Sequence, residues 1–244
     1  MRVTIGIATR GNDINHKLAV WLAQCTELNS MHSLTILIQP SPFSAADGQE
    51  KLFKAAYANG SDFLLLIDSD IAPPPFCLNQ MLIHDKSIVT APIWFCDTEN
   101  NDIHLNISYG IERDGVGRVY VPNPLGGLER IKTGSFGLLL VRRNVLRLFV
   151  DVNESYTHWS KMLDDSYINN FSDSIFFAKC DKLGIEAYVD WELRGTGHYK
   201  LINLCDDTIY GLIARISGNV EYKKDTNGDV VLELVNQSNK GGLQ

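Results

Sequence analysis

The chain has 244 residues and a mass of 27.3 kDa, enough for one large domain or two small ones around a substantial core. Hydrophobic residues make up 45% and charged residues 21%, a globular balance that excludes a disordered polymer, and no apolar run approaches the ~20 residues that span a bilayer. The 22 Lys and Arg set against 29 Asp and Glu leave a net charge of −7 without a basic stripe, which disfavours nucleic acid as a partner.

Met1-Arg2 runs straight into a strand-like segment, with no room for the apolar core of a secretory signal, so a cytoplasmic location is expected. The cysteines (25, 77, 96, 180 and 205) are odd in number, widely spaced and free of any CxxC, and they read as reduced thiols rather than as a disulfide framework or zinc knuckle.

Val3 to Ala8 predicts a strand that ends in the polar turn Thr9 to Asp13. Ile14, Leu18, Trp21, Leu22 and Cys25 then recur at helical spacing, and Leu34 to Ile38 gives a second strand. After Pro40-Ser41-Pro42, a helix over Gln49 to Ala58 stops at Asn59-Gly60. Phe63 to Ile67 is a continuous apolar run of the kind that a central parallel strand needs when helices cover both its faces. It stops at Asp68-Ser69-Asp70, and Pro73-Pro74-Pro75 blocks its continuation. Beyond this lie a short helix over Phe76 to Ile83, a strand over Ser87 to Ala91, and a pair of extended segments within Ile103 to Val121 joined at 114–117. Pro122 to Gly127 reads as a loop, Phe136 to Val141 as a strand and Arg143 to Phe149 as a helix. A helix capped by Ser172 ends at Gly184, and a strand covers Ile185 to Val189. Val230 to Val235 is one further strand, before a Gly/Asn/Ser/Gln-rich end expected to be partly mobile. The fold class is therefore α/β, with a mixed and mostly parallel central sheet flanked by helices.

In an open α/β sheet, ligands bind beyond the carboxyl ends of central strands, and Asp68 and Asp70 lie at that edge. Two carboxylates one residue apart supply hard oxygen donors suited to Mg²⁺ or Mn²⁺ carried with a diphosphate, which would reconcile acidic residues with an anionic substrate. Asp190-Trp191-Glu192 is a second acidic triplet and is given no metal role.

The segment FLLLIDSDIAPPP (63–75) resembles the DxD segment of nucleotide-sugar glycosyltransferases of the GT-A fold, particularly the family 2-like group. Lys132 to Arg143 resembles that family's small-residue turn, apolar strand and basic helix start. Phe171 to Phe177 resembles its ED-x-x-F helix start, and Gly184 to Asp190 leading to Gly197-His198 resembles its closing strand and histidine. The match covers roughly residues 1–200. It implies a single Rossmann-like domain over 1–204, with a nucleotide-binding half (1–95), an acceptor half (96–204) and a C-terminal extension (205–244).

The resemblance also implies roles. Asp70 is the first-choice metal ligand, and Asp68 reaches the metal through water or the donor's ribose, with Ser69 beside it. His198 completes the metal site, the glycines at 195 and 197 permitting close backbone approach. Asp173 is the general base for an acceptor hydroxyl. Ser172 stands where the family carries Glu, and Asp164 and Asp165 are fallback bases. Thr9, Arg10 and Gln39 occupy positions that contact base and ribose. Lys51 stands in for a basic helix start that this chain lacks. Thr133 and Gly134 let the sugar approach the backbone, and Lys200 closes over phosphate. Trp94 is the first candidate among the tryptophans for a sugar platform.

The function that follows is metal-dependent transfer of a sugar from a UDP- or GDP-sugar to a hydroxyl of a glycan, lipid-linked or other acceptor, with inversion. Mn²⁺ or Mg²⁺ is the cofactor, and peripheral contact with a membrane is compatible with a lipid-linked acceptor. Two alternatives stand beside it. One is a haloacid-dehalogenase-type phosphatase, which also places paired aspartates after an apolar strand. The other is a catalytically silent nucleotide-sugar-binding module.

Overall fold

The computed structural model describes residues 1–9, 14–41, 45–97, 104–107, 111–113, 116–119, 126–150, 172–193, 197–198, 220–224 and 230–234. In chain order the elements are β1 (Arg2–Thr9), α1 (His16–Leu28), β2 (Ser33–Pro40), α2 (Ala45–Ala58), β3 (Phe63–Asp68), β4 (Ile71–Ala72), α3 (Cys77–Ile83) and β5 (Ile88–Thr90). Then follow β6 (Trp94–Asp97), β7 (His104–Ile107), β8 (Ile111–Arg113), β9 (Val116–Val119), β10 (Leu128–Ile131), β11 (Leu138–Arg142) and α4 (Arg143–Val150). The last are α5 (Ser172–Lys182), β12 (Ala187–Asp190), β13 (Gly197–His198), β14 (Val220–Lys224) and β15 (Val230–Leu234).

Local chemistry sets the ends of these elements. The Asn15 side chain accepts the Lys17 N–H at 2.8 Å and caps α1, while Gly60 and Gly184 take the left-handed backbone that terminates α2 and α5, at φ +71° and +70°.

Seven strands form the main sheet in the order β10-β12-β5-β11-β3-β1-β2. β1, β2, β3, β5 and β12 run one way, and β10 and β11 run against them. The expected mixed, mostly parallel sheet is thus present. β11 is wedged between β3 and β5 and antiparallel to both, so the loop leading into it arrives at the carboxyl ends of its neighbours.

Alternation along β3 builds two cores. Leu64 and Leu66 pack with α2, α4 and α5 through Leu52, Phe53, Leu146 and Phe176; Phe63, Leu65 and Ile67 pack with α1 and α3 through Leu18, Trp21, Leu78 and Met81. The first core is aromatic: Phe176 lies 4.9 Å from Phe149 and 5.2 Å from Phe136, centroid to centroid.

Several elements differ from the sequence expectation. The pair expected within 103–121 is present as the antiparallel β8 and β9, but β7, in the same stretch, joins β6 in a second sheet of order β4-β13-β6-β7. β10 and β14 lie outside the expected strands, and α2 begins at Ala45, before the expected Gln49. Among the described residues, no helix is long and apolar enough to cross a membrane.

Candidate active site at the carboxyl edge of the sheet

β1, β2 and β3 are parallel neighbours, and their carboxyl ends bring Thr9, Gln39 and Asp68 to one edge. Ala8 is in register with both Gln39 and Asp68. Asp68, Ser69 and Asp70 are partly buried, directly beyond a strand whose preceding residues are fully buried. The buried run of β3 is what delivers two carboxylates to the middle of the sheet edge.

Backbone hydrogen bonds hold this turn from both sides. The Asp68 N–H donates to the Gly137 carbonyl at 3.1 Å, and the Asn15 N–H at the head of α1 donates to the Ser69 carbonyl at 2.8 Å. The chain then dives inward at Ile71, which is fully buried, and the proline segment is anchored where the Trp21 indole N–H donates to the Pro74 carbonyl at 3.0 Å. β4 pairs antiparallel with β13, setting Ile71 opposite His198 and Ala72 opposite Gly197. The backbone of His198 therefore stands across a strand pair from the residue after Asp70, although some 130 residues of chain separate them.

The loop before β11 completes this edge. The Gly137 N–H donates to the Ser135 hydroxyl at 3.1 Å, which tightens the turn whose carbonyl receives Asp68. Gly134 is buried, and a Cβ there would stand 2.7 Å from Phe177 Cζ, so its bare face is occupied by α5. Asp173 lies one turn ahead of Phe177, on the same face of α5. α5 leads into the parallel strand β12, so its first turn is at the carboxyl edge, and the partly buried Asp173 shares that edge with Thr133 and Gly134.

At the ends of β1 and β2, Thr9 is buried and its carbonyl accepts the Ser41 N–H at 2.8 Å, while the Gln39 amide donates to the Pro40 carbonyl at 2.9 Å. Lys51 is exposed and its ammonium pairs along the helix with Asp47 at 2.7 Å; that bond, with the Ser41 hydroxyl at 3.1 Å, holds the Asp47 carboxyl below its ordinary range. Gly48 is a feature that sequence reasoning left without a role. A Cβ there would lie 3.2 Å from Ser41 Cβ and 3.4 Å from Ala8 Cβ, so the glycine lets the first turn of α2 rest on the ends of β1 and β2.

Arg10, Lys200, Trp159, Asp164 and Asp165 lie outside the described residues, as does the side chain of His198. Trp191 is a core residue, 1% exposed, donating its indole N–H to Glu129 at 2.7 Å. The second acidic triplet is structural as well: Asp190 is buried and accepts from Gln80 at 2.9 Å, bonds His84 at 2.8 Å and takes the Glu192 N–H at 3.0 Å.

Among the described residues, no group of three or more His, Cys, Asp and Glu side chains gathers as a metal cage. Asp68 and Asp70 nevertheless fit a cation that arrives with a pyrophosphate, because Mg²⁺ and Mn²⁺ take one or two carboxylates and complete their shell with phosphate oxygens and water.

No family model and no curated protein matches the sequence. Among solved structures, the chain is similar to that described as the crystal structure of A197 from STIV. The identity is 13% and the TM-score 0.51, over 97% of this chain and 95% of that one. That likeness shows a shared fold along nearly the whole length of both chains. The chain is also distantly similar to a glycosyltransferase involved in the glycosylation of the major capsid of PBCV-1, at 10% identity and a TM-score of 0.39 over 68% of this chain and 71% of that one. The seven-stranded α/β architecture is compatible with a Rossmann-like glycosyltransferase fold.

Proposed function

We propose that the chain is a metal-dependent glycosyltransferase that moves a sugar from a UDP- or GDP-sugar to a hydroxyl of a glycan, lipid-linked or other acceptor. The observation that carries this reading is the placement of Asp68 and Asp70 in the centre of the carboxyl edge, on a turn braced by Gly137 and Asn15. The ends of β1 and β2 supply the wall for base and ribose, through Thr9, Gln39 and, in the adjoining loop, Arg10. Lys51 and Lys200 are the proposed cations for the donor's charge, and the Thr133 end of the turn, seated on α5 through Gly134, is the proposed floor against which the sugar lies.

Asp68 and Asp70, with His198, would hold a Mn²⁺ or Mg²⁺ ion, which would supply positive charge against the departing diphosphate. The remaining work belongs to the chain. Asp173 accepts the acceptor's hydroxyl proton as that oxygen bonds the anomeric carbon, while the bond from that carbon to the diphosphate oxygen breaks and its electron pair leaves with the diphosphate. Attack from the face opposite the leaving group inverts the configuration. Residues 1–95 would serve the donor and 96–204 the acceptor, in the cytoplasm and, for a lipid-linked acceptor, at a membrane surface.

Calorimetric titration of UDP and GDP with and without Mn²⁺ tests the reading. Binding of one nucleotide that requires the metal and is lost in Asp70→Asn is the expected result. Metal-independent binding, or turnover of a simple phosphomonoester, would favour the other functions considered for the acidic pair.

A further inference from the structure

Thr90, the last residue of β5, is fully buried in an apolar run, with Ile88, Val89 and Ala91 buried around it. Valine has the same shape and the same fitness for a strand, without the cost of taking a hydroxyl out of water. The hydroxyl is therefore to be explained by what it bonds. It donates to two backbone carbonyls of the segment leading into β11, Ser135 at 3.1 Å and Leu138 at 3.0 Å, with the Ala91 carbonyl farther off at 3.4 Å. The Leu138 carbonyl also takes the Ala91 N–H at 3.2 Å where β5 pairs with β11, so it stays satisfied without Thr90. The Ser135 carbonyl lies in the turn ahead of the strand, and the Thr90 hydroxyl ties that turn to the sheet.

From Ser135 the bonds lead to the aspartates. The Ser135 hydroxyl accepts the Gly137 N–H at 3.1 Å, and the Gly137 carbonyl accepts the Asp68 N–H at 3.1 Å. Gly137 has little slack, because a Cβ there would stand 3.0 Å from Ile93 Cγ1. The turn is thus held from below by β5, and what it holds is the end of the strand that carries Asp68. Supporting groups of this kind fix a site's geometry without touching its ligand.

We propose that Thr90 is a positioning residue for the carboxyl-edge site, its hydroxyl setting the 135–137 turn and through it the place of Asp68. The consequence for nucleotide binding rests on the glycosyltransferase reading; the placement of Asp68 does not. Amide exchange at Asp68, followed by NMR in the full chain, is expected to quicken at least tenfold in Thr90→Val while Ile5 in β1 keeps its protection. Thr90→Ser, which keeps the hydroxyl, is expected to restore the original rate. Ser135→Ala, at a partly exposed position, breaks the next link and is expected to quicken Asp68 exchange as Thr90→Val does. The second readout is calorimetric affinity for UDP and GDP in Mn²⁺, expected to fall at least fivefold in Thr90→Val and to return in Thr90→Ser, a pattern that a loss of stability alone would not give. Asp68 exchange unchanged in Thr90→Val or in Ser135→Ala, Thr90→Ser behaving as Thr90→Val, or affinity unchanged while exchange quickens overturns the inference. If the unaltered chain binds neither nucleotide with Mn²⁺, the glycosyltransferase reading fails, and the exchange rates alone decide whether Thr90 positions Asp68.

Discussion

Asp68 and Asp70 share a turn but differ in their surroundings. The Asp68 backbone is tied to Gly137, so its carboxylate is fixed to the strand end, whereas Asp70 precedes the buried Ile71 and stands nearest the strand pair that carries His198. Asp70→Asn keeps the shape and removes the charge. It should lower metal-dependent release of nucleoside diphosphate about 100-fold or more, with a smaller loss for Asp68→Asn, as read by a coupled nucleotide assay. Gly134 is sensitive for a steric reason: a methyl group there would meet Phe177 at 2.7 Å, and Gly134→Ala should cost about 1–3 kcal/mol in urea unfolding as α5 is pushed away. The sequence marks Gly134 as permissive for a ligand, but that the ring of α5 fills its bare face depends on packing that no local pattern encodes.

Between elements, the turn that bears the aspartates is braced by its neighbours. Trp21 in α1 reaches the Pro74 carbonyl, so Trp21→Phe should remove one hydrogen bond worth about 0.5–1.5 kcal/mol and loosen the proline segment, measurable as faster amide exchange around Cys77. Asp190 ends β12 with donors from α3 on its buried carboxylate, and Asp190→Ala should destabilise the chain by about 2–3 kcal/mol in the same unfolding assay, because Gln80 and His84 lose their acceptor. The long elements were legible because their periodicity is strong: β1, α1, β2, β3 and α4 lie within a few residues of their expected places. β4 and β13 are two residues each and exist only through pairing with distant chain, and β10 is a short, half-exposed strand at the sheet edge, so none leaves a periodic signature. The split of β7 from β8 and β9 has the same origin.

For the molecule as a whole, the buried thiols give a readout of folding. Cys25 is pushed up to about 11 by burial, and Cys77 and Cys180 are also driven upward by burial. A thiol whose folded value lies above its unfolded value contributes stability that is complete below about pH 9 and lost as pH rises through the folded value. Unfolding midpoints should therefore fall between pH 9 and 11. At pH 8, iodoacetamide should spare these three cysteines in the native chain and modify them in urea, as mass spectrometry would show. The α/β architecture itself was readable from the alternation of apolar runs and helical spacing. The antiparallel insertion of β11, which carries the Thr133–Gly137 loop to the aspartates, was not, since an apolar strand buried on both faces reads the same in either direction.

The paired aspartates are proposed to hold a cation that neutralises a nucleotide diphosphate as it leaves a sugar. A panel of UDP- and GDP-sugars incubated with the full chain in Mn²⁺, and separately in EDTA, tests it most directly by release of free nucleoside diphosphate. Release from at least one donor, dependent on the metal and abolished by Asp70→Asn, is expected. Release that persists in EDTA or in Asp70→Asn, or no release from any donor alongside no metal-dependent nucleotide binding, would contradict it.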